Sequence, residues 1–345
     1  MDSSSVRSRA ADVARAAGVS TATVDRVLNG RANVRPSTAQ RVLKAAAALQ
    51  YLPEADLWRS LQPPPMELVF LLPAGTNRYL RMLGESIGYA TDWLAPFNVR
   101  CRAHFIDSFD PARVAAALLR HGRRAAGVAF MALEHPLVRE AVDALAERGV
   151  HVITLISDLS HSRRIAYVGM DNRAAGRTAG TLIGRLLGGR SGPVAMIAGS
   201  LAYRGHEERE MGFLHLMQEN FPALQVVGVR EGRDDAETNC RLARALLKQH
   251  PDLVGLYNIG GGADGVARAI KEQRRQPPPV FVAHGLTPDT RALLIDGTLD
   301  ALINQHPHTM VLNCVRIFTN VRDGRNAASG VEPVRISIVL RENLP

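Results

Sequence analysis

The sequence has few of the features that mark membrane, secreted or metal-binding proteins. Its 345 residues include only three cysteines, Cys101, Cys240 and Cys314, which are far apart and lack metal-ligand spacing. We expect them to be reduced, buried thiols of a cytoplasmic protein. No apolar run approaches the roughly 20 residues that span a bilayer. The first residues contain no apolar stretch of the kind found in a secretory signal, so we expect none.

Motifs of common enzyme classes are missing too. The chain has no G-x-S-x-G nucleophile elbow, no H-E-x-x-H zinc motif and no phosphate-binding Walker loop. A G-x-G-x-x-G pattern at residues 260–265 would by itself indicate a dinucleotide-binding enzyme, but the acidic residue expected about 20 residues later is absent. We therefore predict that the protein is not an enzyme and uses no cofactor. His306 and His308 lack a further ligand at suitable spacing, so we expect no metal site there.

Positive charge is concentrated at the N-terminus. The formal net charge is +9, and the composition, with 46% hydrophobic and 22% charged residues, is that of a soluble globular protein. Residues 1–53 contain eight Arg/Lys against three Asp/Glu, a net charge of +5. The other 292 residues contain 34 against 30, a net charge of +4. A small basic module at one end is typical of a domain that contacts nucleic-acid phosphates.

This basic segment carries three short helical patterns. The first covers Ala10–Ala17 and is followed by Gly18, a residue favoured just after a helix. The second covers Thr21–Leu28, with Ser20 at its N-cap, and the third runs from a favourable proline over residues 36–49. Two short helices joined by a glycine-containing turn and braced by a third form a helix-turn-helix. The pattern alone would equally fit a three-helix cap on a larger domain.

A proline-rich stretch separates this segment from an α/β remainder. Residues 63–65 are consecutive prolines, which favour an extended spacer. Beyond them, short apolar strands alternate with helical patterns, as in parallel sheets that are buried on both faces. Ten strands are too many for one sheet, so we predict two doubly wound parallel-sheet lobes with a ligand crevice at the strands' carboxyl ends. The predicted strands are 68–72, 99–106, 127–131, 150–155, 166–169, 194–198, 224–229, 253–259, 280–283 and 301–304.

Residues 12–29 read DVARAAGVSTATVDRVLN, and the pattern continues through Val34 and residues 38–42 to LQYLP at residues 49–53. This segment resembles the DNA-binding signature of the LacI/GalR, or lac-repressor, family. The remainder is similar to that family's sensor domain, which shares the fold of type I periplasmic sugar-binding proteins. The motifs that carry this second resemblance are residues 168–176, 209–213, 296–297, 304–305 and 340–345.

The resemblance implies a ligand-responsive transcriptional regulator, expected to be a repressor, although activation stays open. Such a regulator binds a near-palindromic operator in double-stranded DNA as a homodimer, or as a tetramer, with its recognition helices in successive major grooves. By position, Thr21, Ala22 and Arg26 read base edges, and an arginine can make a bidentate contact to guanine. The alternative for Arg26 is a solvated surface charge.

The same resemblance assigns backbone and hinge contacts. Ser20, Thr23 and Asn29 would form hydrogen bonds to DNA phosphates. Leu61 is the candidate for a side chain that wedges into the minor groove, or else it packs against the partner's hinge. Asp25 stands where the family commonly has serine, so either it turns inward to pair with an arginine or this subgroup docks differently.

The resemblance also implies a polar ligand between the sensor lobes, such as a sugar or sugar derivative. Alternatives are that Asp171 caps a helix, that Tyr79 belongs to the core and that Arg209 forms a surface salt bridge. Glycines 260–262 and His284 stand where the family usually has carboxylates, which favours the hypothesis of a phosphate- or carboxylate-bearing ligand that backbone amides contact. The ligand-binding candidates are Asn77, Tyr79, Asp171, Asn172, Arg209, Asn258, His284 and Gln305.

We therefore predict an all-α helix-turn-helix head at residues 1–53, a hinge and linker at 54–65 and an α/β sensor at 66–345. The first lobe is expected at approximately 66–165 and 306–330, and the second at approximately 166–305 and 331–345. The protein is expected in the cytoplasm, associated with the nucleoid and not with a membrane. The alternative function is a small-molecule binding protein whose DNA-binding head is degenerate.

Overall fold

The computed structural model describes residues 9–29, 34–51, 65–94, 98–107 and 109–345, and its contacts divide the chain into two units on either side of residue 66. The first unit has its own core of small aliphatic side chains. The second has separate, larger clusters. Among the described residues, no helix combines the length and the apolar character that a membrane crossing requires.

Three helices form the first unit: α1 (Ala10–Ala17), α2 (Thr21–Leu28) and α3 (Pro36–Ala48). The bounds predicted for α1 and α2 are confirmed, and α3 ends one residue before its predicted end. Gly18 ends α1 with φ of +65°, a conformation that its missing Cβ makes accessible. The core forms where the apolar stripes of the three helices meet, around Val13, Val24 and Val42.

The second unit contains two α/β lobes, and the first lobe has a five-stranded sheet in the order β2-β1-β3-β4-β5. The pairs β1–β3, β3–β4 and β4–β5 are parallel, and these strands are largely buried on both faces, as their apolar sequences predict. The strands are β1 (Met66–Pro73), β2 (Val99–Ile106), β3 (Gly127–Phe130), β4 (His151–Leu155) and β5 (Ala166–Val168), and the helices are α4 (Arg78–Leu94), α5 (Pro111–Gly122) and α6 (Pro136–Glu147).

The second lobe has a six-stranded sheet in the order β11-β10-β9-β8-β6-β7. Its pairs are parallel except for β10–β11, which is antiparallel. The strands are β6 (Gly192–Ala198), β7 (Leu224–Glu231), β8 (Gly255–Asn258), β9 (Val280–His284), β10 (Ala301–Asn304) and β11 (Ser337–Val339), and the helices are α7 (Asn172–Leu186), α8 (Arg204–Asn220), α9 (Ala236–Gln249), α10 (Ala263–Gln273) and α11 (Pro288–Ile295).

The chain crosses between the lobes three times. It passes to the second lobe after β5 and returns before α12 (Pro307–Arg322), which packs on the first lobe against α4, β4 and β5. It crosses again before β11, which pairs with β10. Because the chain passes between the lobes only at these segments, the architecture suits a hinge about the cleft between them.

Two details differ from the sequence-based expectation. The second lobe was expected to begin at about residue 166, but β5 pairs with β4 and is the edge strand of the first sheet. The eleventh strand, Ser337–Val339, was not predicted. A strand of three residues is too short to give a recognisable apolar pattern in the sequence. These residues become a strand because they pair with the edge of β10.

All three cysteines are buried within the second unit, as predicted. Burial, assisted by the nearby Glu67 carboxylate, raises the pKa of the Cys101 thiol to about 12. Thiols that stay protonated at neutral pH are poor nucleophiles and poor metal ligands.

Candidate functional sites

A cleft of about 460 Å³, counted to its open mouth, lies between the lobes at the carboxyl ends of both sheets, where the sequence predicted a crevice. Its polar side chains come from both lobes, and its apolar part includes two methionines. The lining consists of Asn77, Tyr79, Leu80, Met131, Ile156, Met170, His206, Arg209, Asp234, Gly260, Gly261, His284, Gly285, Ile303 and Gln305.

Arg209, on α8, brings a positive charge into this cleft. Its residue surface is only 5% exposed. Nε donates to Asn172 Oδ1 and Nη1 donates to the Ile259 carbonyl, both at 2.8 Å. Both acceptors are neutral, and a buried charge is stabilised fully only by hydrogen bonds and a counter-charge. The guanidinium therefore retains donors for an acceptor-rich ligand, and the alternative of a surface salt bridge does not apply.

Asn172 positions the guanidinium of Arg209. It is 2% exposed and does not line the cleft, contrary to the ligand-contact prediction. Its Nδ2 donates to the Ile156 carbonyl at 3.1 Å and to the Tyr167 hydroxyl at 3.0 Å. With both ends of its amide occupied, Asn172 orients the guanidinium of Arg209.

Two glycines allow α7 and α8 to approach closely enough for this contact. A Cβ on Gly176 would lie 1.9 Å from the carbonyl oxygen of Arg209, and one on Gly212 would lie 2.1 Å from that of Arg173. These neighbours are backbone atoms, which cannot rotate away. Only glycine fits at both positions, so the helix pair that carries Asn172 and Arg209 depends on them.

His284 adds a polar group with an unused ring nitrogen. Its Nε2 lies 2.7 Å from the Tyr257 hydroxyl, whereas its buried Nδ1 has no hydrogen-bond partner within the described part of the chain. Burial, reinforced by the charge of Arg209, holds the pKa of His284 well below its usual value, so the ring is neutral at pH 7. An orphaned ring nitrogen beside the cleft can be satisfied by a polar ligand atom.

Asp234 joins the two lobes across the cleft. Asn77 Nδ2 donates to its Oδ2 at 3.0 Å, and Thr76 Oγ1 donates to its backbone carbonyl at 3.2 Å. Gly261 N donates to Asp234 Oδ1 at 2.7 Å, and a Cβ on Gly260 would lie 2.2 Å from the same oxygen. The sequence favoured a contact between the backbone amides of this glycine loop and an anionic ligand. The Gly261 amide instead donates its hydrogen bond to the Asp234 carboxylate.

Tyr79 and Gln305 form a second link between the lobes. The Tyr79 hydroxyl donates to the Gln305 carbonyl at 2.9 Å, and burial raises the pKa of that tyrosine. Gln305 Oε1 accepts a hydrogen bond from Met170 N at 3.1 Å. This contact orients the Gln305 side chain and leaves its amide nitrogen available to the cleft.

Two further predicted residues lie outside the cleft lining. Asp171 is exposed, and its carboxylate caps α7 by accepting a hydrogen bond from Ala174 N at 2.9 Å, which was the alternative interpretation. Asn258 is 1% exposed, and its Nδ2 donates to the carbonyls of Gly260 and Gly261 at 2.8 and 3.0 Å. Asn258 thus shapes the glycine loop and does not reach the cleft.

Sequence reasoning missed His206 and Asp234, which both line the cleft. His206 lies three residues before Arg209 on α8, a spacing that places both on one helix face. Its Nδ1 lies 3.0 Å from the Ser200 carbonyl, and burial lowers the pKa of His206 although Asp234 opposes the shift. Asp234 follows β7 at the ligand edge of the sheet, so its place after a strand was the available signal.

The first unit presents a separate exposed face on α2. Thr21, Ala22 and Arg26 are all exposed there, whereas Val24 and Val27 are buried against α1 and α3. A helix needs exposed side chains on one face to enter a major groove, and this face meets that requirement. The predicted minor-groove residue Leu61 lies outside the described residues.

The residues expected to bind phosphates are held at the two ends of α2. The Ser20 and Thr23 hydroxyls lie 2.9 Å apart, and Ser20 Oγ accepts a hydrogen bond from Thr23 N at 3.2 Å. Asn29 Nδ2 donates to Asp25 Oδ1 at 2.7 Å, and the Asp25 residue is exposed. The structure thus fixes how these polar groups are oriented on and beside α2.

Known proteins are similar to each part of the chain. Residues 11–54 match the lacI family of bacterial regulatory proteins, and residues 106–326 match the family described as periplasmic binding protein domain. The chain is 27% identical over 174 residues to catabolite control protein A of Streptococcus mutans, a match that covers 50% of each protein. It is 28% identical over 248 residues to the HTH-type transcriptional repressor PurR of Photorhabdus laumondii, with 70% of each covered.

The fold of the second unit is similar to that of solved binding proteins. The crystal structure of GanP, a glucose-galactose binding protein from Geobacillus stearothermophilus, superposes with a TM-score of 0.74 at 22% identity, covering 82% of this chain and all of that one. The chain therefore belongs to the periplasmic binding protein domain family and carries a lacI-family helix-turn-helix domain ahead of that domain.

Proposed function

We propose that the chain is a ligand-responsive, sequence-specific DNA-binding transcriptional regulator. The observation that carries the proposal is the exposed face of α2, with Thr21, Ala22 and Arg26 on a lacI-family head, in the same chain as a polar cleft between two lobes. The head comprises residues 1–53, the hinge and linker 54–65 and the sensor 66–345. The protein acts in the cytoplasm and carries out no chemical step.

Two copies of the head bind a near-palindromic operator, with α2 of each in a major groove. Arg26 makes a bidentate contact to guanine, which is worth about 1–3 kcal/mol of discrimination against another base. Thr21 and Ala22 contact base edges nearby, and Ser20, Thr23 and Asn29 contact phosphates. The dimeric state follows from the symmetry that such operators impose, with a tetramer as the larger assembly.

The effector is a small polar molecule such as a sugar or sugar derivative. Arg209 and the Gln305 amide supply donors, His284 supplies an unused ring nitrogen, and Met131 and Met170 supply apolar contact. Closure of the lobes on the effector changes the arrangement of the two heads, so effector and operator affinities are coupled reciprocally by about 1–3 kcal/mol. Repression is the expected outcome of operator binding.

Selection of bound duplexes from a random DNA pool by the full-length protein tests this proposal. The wild type is expected to enrich a near-palindrome, and Arg26→Ala is expected to lose or relax the preference at one symmetric position. The matched control is Arg15→Ala, since the Arg15 side chain is 82% exposed and lies on α1, outside the predicted base-reading set. That variant should recover the wild-type sequence. Sugars and a metabolite extract, added to the recovered duplex, then identify the effector by a change in affinity.

The second candidate is a small-molecule binding protein with a degenerate head. The exposed carboxylate of Asp25, on the helix that would face DNA phosphates, favours it. If the wild type enriched no sequence across a range of salt, with and without metabolite extract, this second function would replace the first. Enrichment by the wild type and by Arg26→Ala of the same sequence would instead remove Arg26 from the base-reading set.

A further inference from the structure

A cluster of basic side chains lies at the end of the first-lobe sheet opposite the cleft. Strand β2 begins at Val99 and contributes Arg100 and Arg102, and strand β3 begins at Gly127, just after the end of α5. The segment that follows α5 contributes Arg123 and Arg124. Arg100, Arg102, Arg120, Arg123 and Arg124 are called the basic edge below.

The charge of the basic edge is poorly balanced. Glu67 lies 3.8 Å from Arg100 and 3.4 Å from Arg102, so one carboxylate serves two guanidinium groups. Arg123 and Arg124 are exposed, and no described carboxylate pairs with either of them. Exposed arginines usually find or share acidic neighbours, as they do elsewhere on this sensor. An unbalanced group of five is therefore suited to an anionic partner from outside the chain.

Two histidines, His104 and His121, lie beside the arginines of the basic edge. The rings of His104 and His121 have centroids 4.2 Å apart, and Arg120 Nη2 lies 3.2 Å from His121 Nε2. Burial lowers the pKa of His121, and the neighbouring His104 and Arg120 lower it further. The part of this shift that Arg120 causes places its positive charge beside the two histidines, next to the basic edge.

The chain itself connects the basic edge to the DNA-binding head. Glu67, which pairs with two of its arginines, is the second residue of β1, and the head's last described residue is Tyr51. The 15 residues 52–66 between them can span at most about 54 Å, whatever their conformation. A duplex that the head holds is thus present at a high effective concentration around the sensor.

From this charge and this tether we infer that the basic edge binds backbone phosphates of the DNA that flanks the operator. The inference rests on the proposed function, which supplies the DNA. Guanidinium groups suit phosphates because their planar donors match phosphate oxygens in pairs. The contact is independent of base sequence, strengthens binding through counterion release and positions the sensor over the flank.

Binding of the full-length protein to two duplexes tests the inference. One duplex contains the selected operator alone, and the other adds about 20 base pairs of arbitrary sequence on each side, enough for roughly two helical turns. The variant is Arg123→Ala/Arg124→Ala, whose exposed side chains have no described ion-pair partner to lose. The matched control is Arg291→Ala/Arg335→Ala, which removes two exposed arginines from the second lobe.

The wild type and the control are expected to bind the long duplex at least fivefold more tightly than the short one, and the basic-edge variant is expected to lose that difference. Each phosphate contact contributes about 0.9 to the magnitude of the slope of log K against log salt. The dimer loses two such contacts in each protomer, so the magnitude of the variant's slope on the long duplex should fall by about 3.6. Its affinity for the short duplex should stay at the wild-type value.

Two results separate the possible failures. If the wild type bound both duplexes equally, or the basic-edge variant kept the full gain from the flanks, the inference would be overturned and an acidic protein would become the partner to seek. If the wild type bound neither duplex, the proposed function itself would fail and the inference with it. Arg26→Ala should weaken binding to both duplexes but should keep the gain in affinity that the flanks provide. This result distinguishes head contacts from flank contacts.

Discussion

The face of α2 and the cleft of the sensor are assembled in opposite ways. Thr21, Ala22 and Arg26 lie on one eight-residue helix, and all three are exposed. The cleft lining runs from Asn77 to Gln305, and its charged groups are buried. In the head, neighbours in sequence are neighbours in space, whereas the cleft exists only after two sheets have formed.

The difference predicts where substitutions should act. An exposed side chain on α2 contributes little to folding, so its replacement should change DNA binding and leave stability nearly unchanged. A buried polar group such as Arg209 is held by Asn172 and by a backbone carbonyl, which in turn depend on close helix packing. In the cleft, binding and stability are therefore linked. Three measurements of stability compare the cleft with the head.

Gly176→Ala should have the largest effect. Its new Cβ would lie 1.9 Å from the Arg209 carbonyl oxygen, so α7 and α8 must separate. Overpacking against backbone should cost about 3 kcal/mol of the sensor's free energy of unfolding. Urea unfolding of the full-length protein, followed by a probe in the second unit, measures the loss.

Gly88→Ala is the matched control, because nothing lies within 4 Å of its added Cβ on α4. Glycine-to-alanine replacement inside an open helix should stabilise by up to about 1 kcal/mol. If the two variants were equally stable, the close packing of α7 and α8 would not support the cleft in the way described above.

Acidification should cause the next largest loss in the free energy of unfolding, and we expect this loss in the sensor only. Burial lowers the pKa values of His206 and His284, so below pH 6.5 the unfolded chain binds protons that the folded chain excludes. The contribution of the two histidines to the free energy of unfolding is therefore complete above pH 6.5 and is lost as the pH falls below it. We expect the pair to lose about 2 kcal/mol between pH 7.5 and 5.5.

Urea midpoints of the wild type and of His206→Gln/His284→Gln at the two pH values measure this loss. The variant should show a weaker pH dependence than the wild type, since other titrating groups are common to both. Residues 1–53 contain no histidine, so the head should not share this dependence. If the urea midpoints of the two proteins fell equally with decreasing pH, the buried histidines would not be the cause of the sensor's acid sensitivity.

Ser20→Ala should have the smallest effect and should be confined to the head. It removes the Oγ that accepts the Thr23 amide hydrogen at the start of α2. Loss of an N-cap typically costs about 1 kcal/mol, which corresponds to roughly fivefold faster hydrogen exchange of α2 amides. Exchange measured on the full-length protein should show the sensor amides unchanged; faster exchange in both units would contradict the separation of head and cleft.

The elements of both units were largely predictable from pattern. The bounds of α1 and α2 and of strands β2 and β10 agree with the prediction, because helix stop signals and alternating or fully apolar strand runs are local features. The edge strand β11 was not predictable, since its three residues become a strand by pairing with β10. Likewise, β5 joins the first sheet through its contact with β4.

The candidate site was predictable in part. Five residues that the family resemblance singled out do line the cleft, namely Asn77, Tyr79, Arg209, His284 and Gln305. Asp171 and Asn172 adjoin one another in a motif, yet one caps a helix and the other supports Arg209. A motif places a residue near a site, but which of its atoms remains unoccupied depends on neighbours that are distant in sequence.

The sequence by itself determined the helical head with its exposed α2 face, the two-lobed α/β sensor and the edge of the sheets where the cleft lies. These follow from hydrophobic period, capping and strand direction, which act over a few residues. Only the tertiary structure decided that Asp234 occupies the amide of Gly261, that His284 keeps an unused nitrogen and that the arginines of β2 and of the segment after α5 form one basic edge. Each of these depends on packing between segments far apart in the chain, and burial and charge balance are properties of that packing.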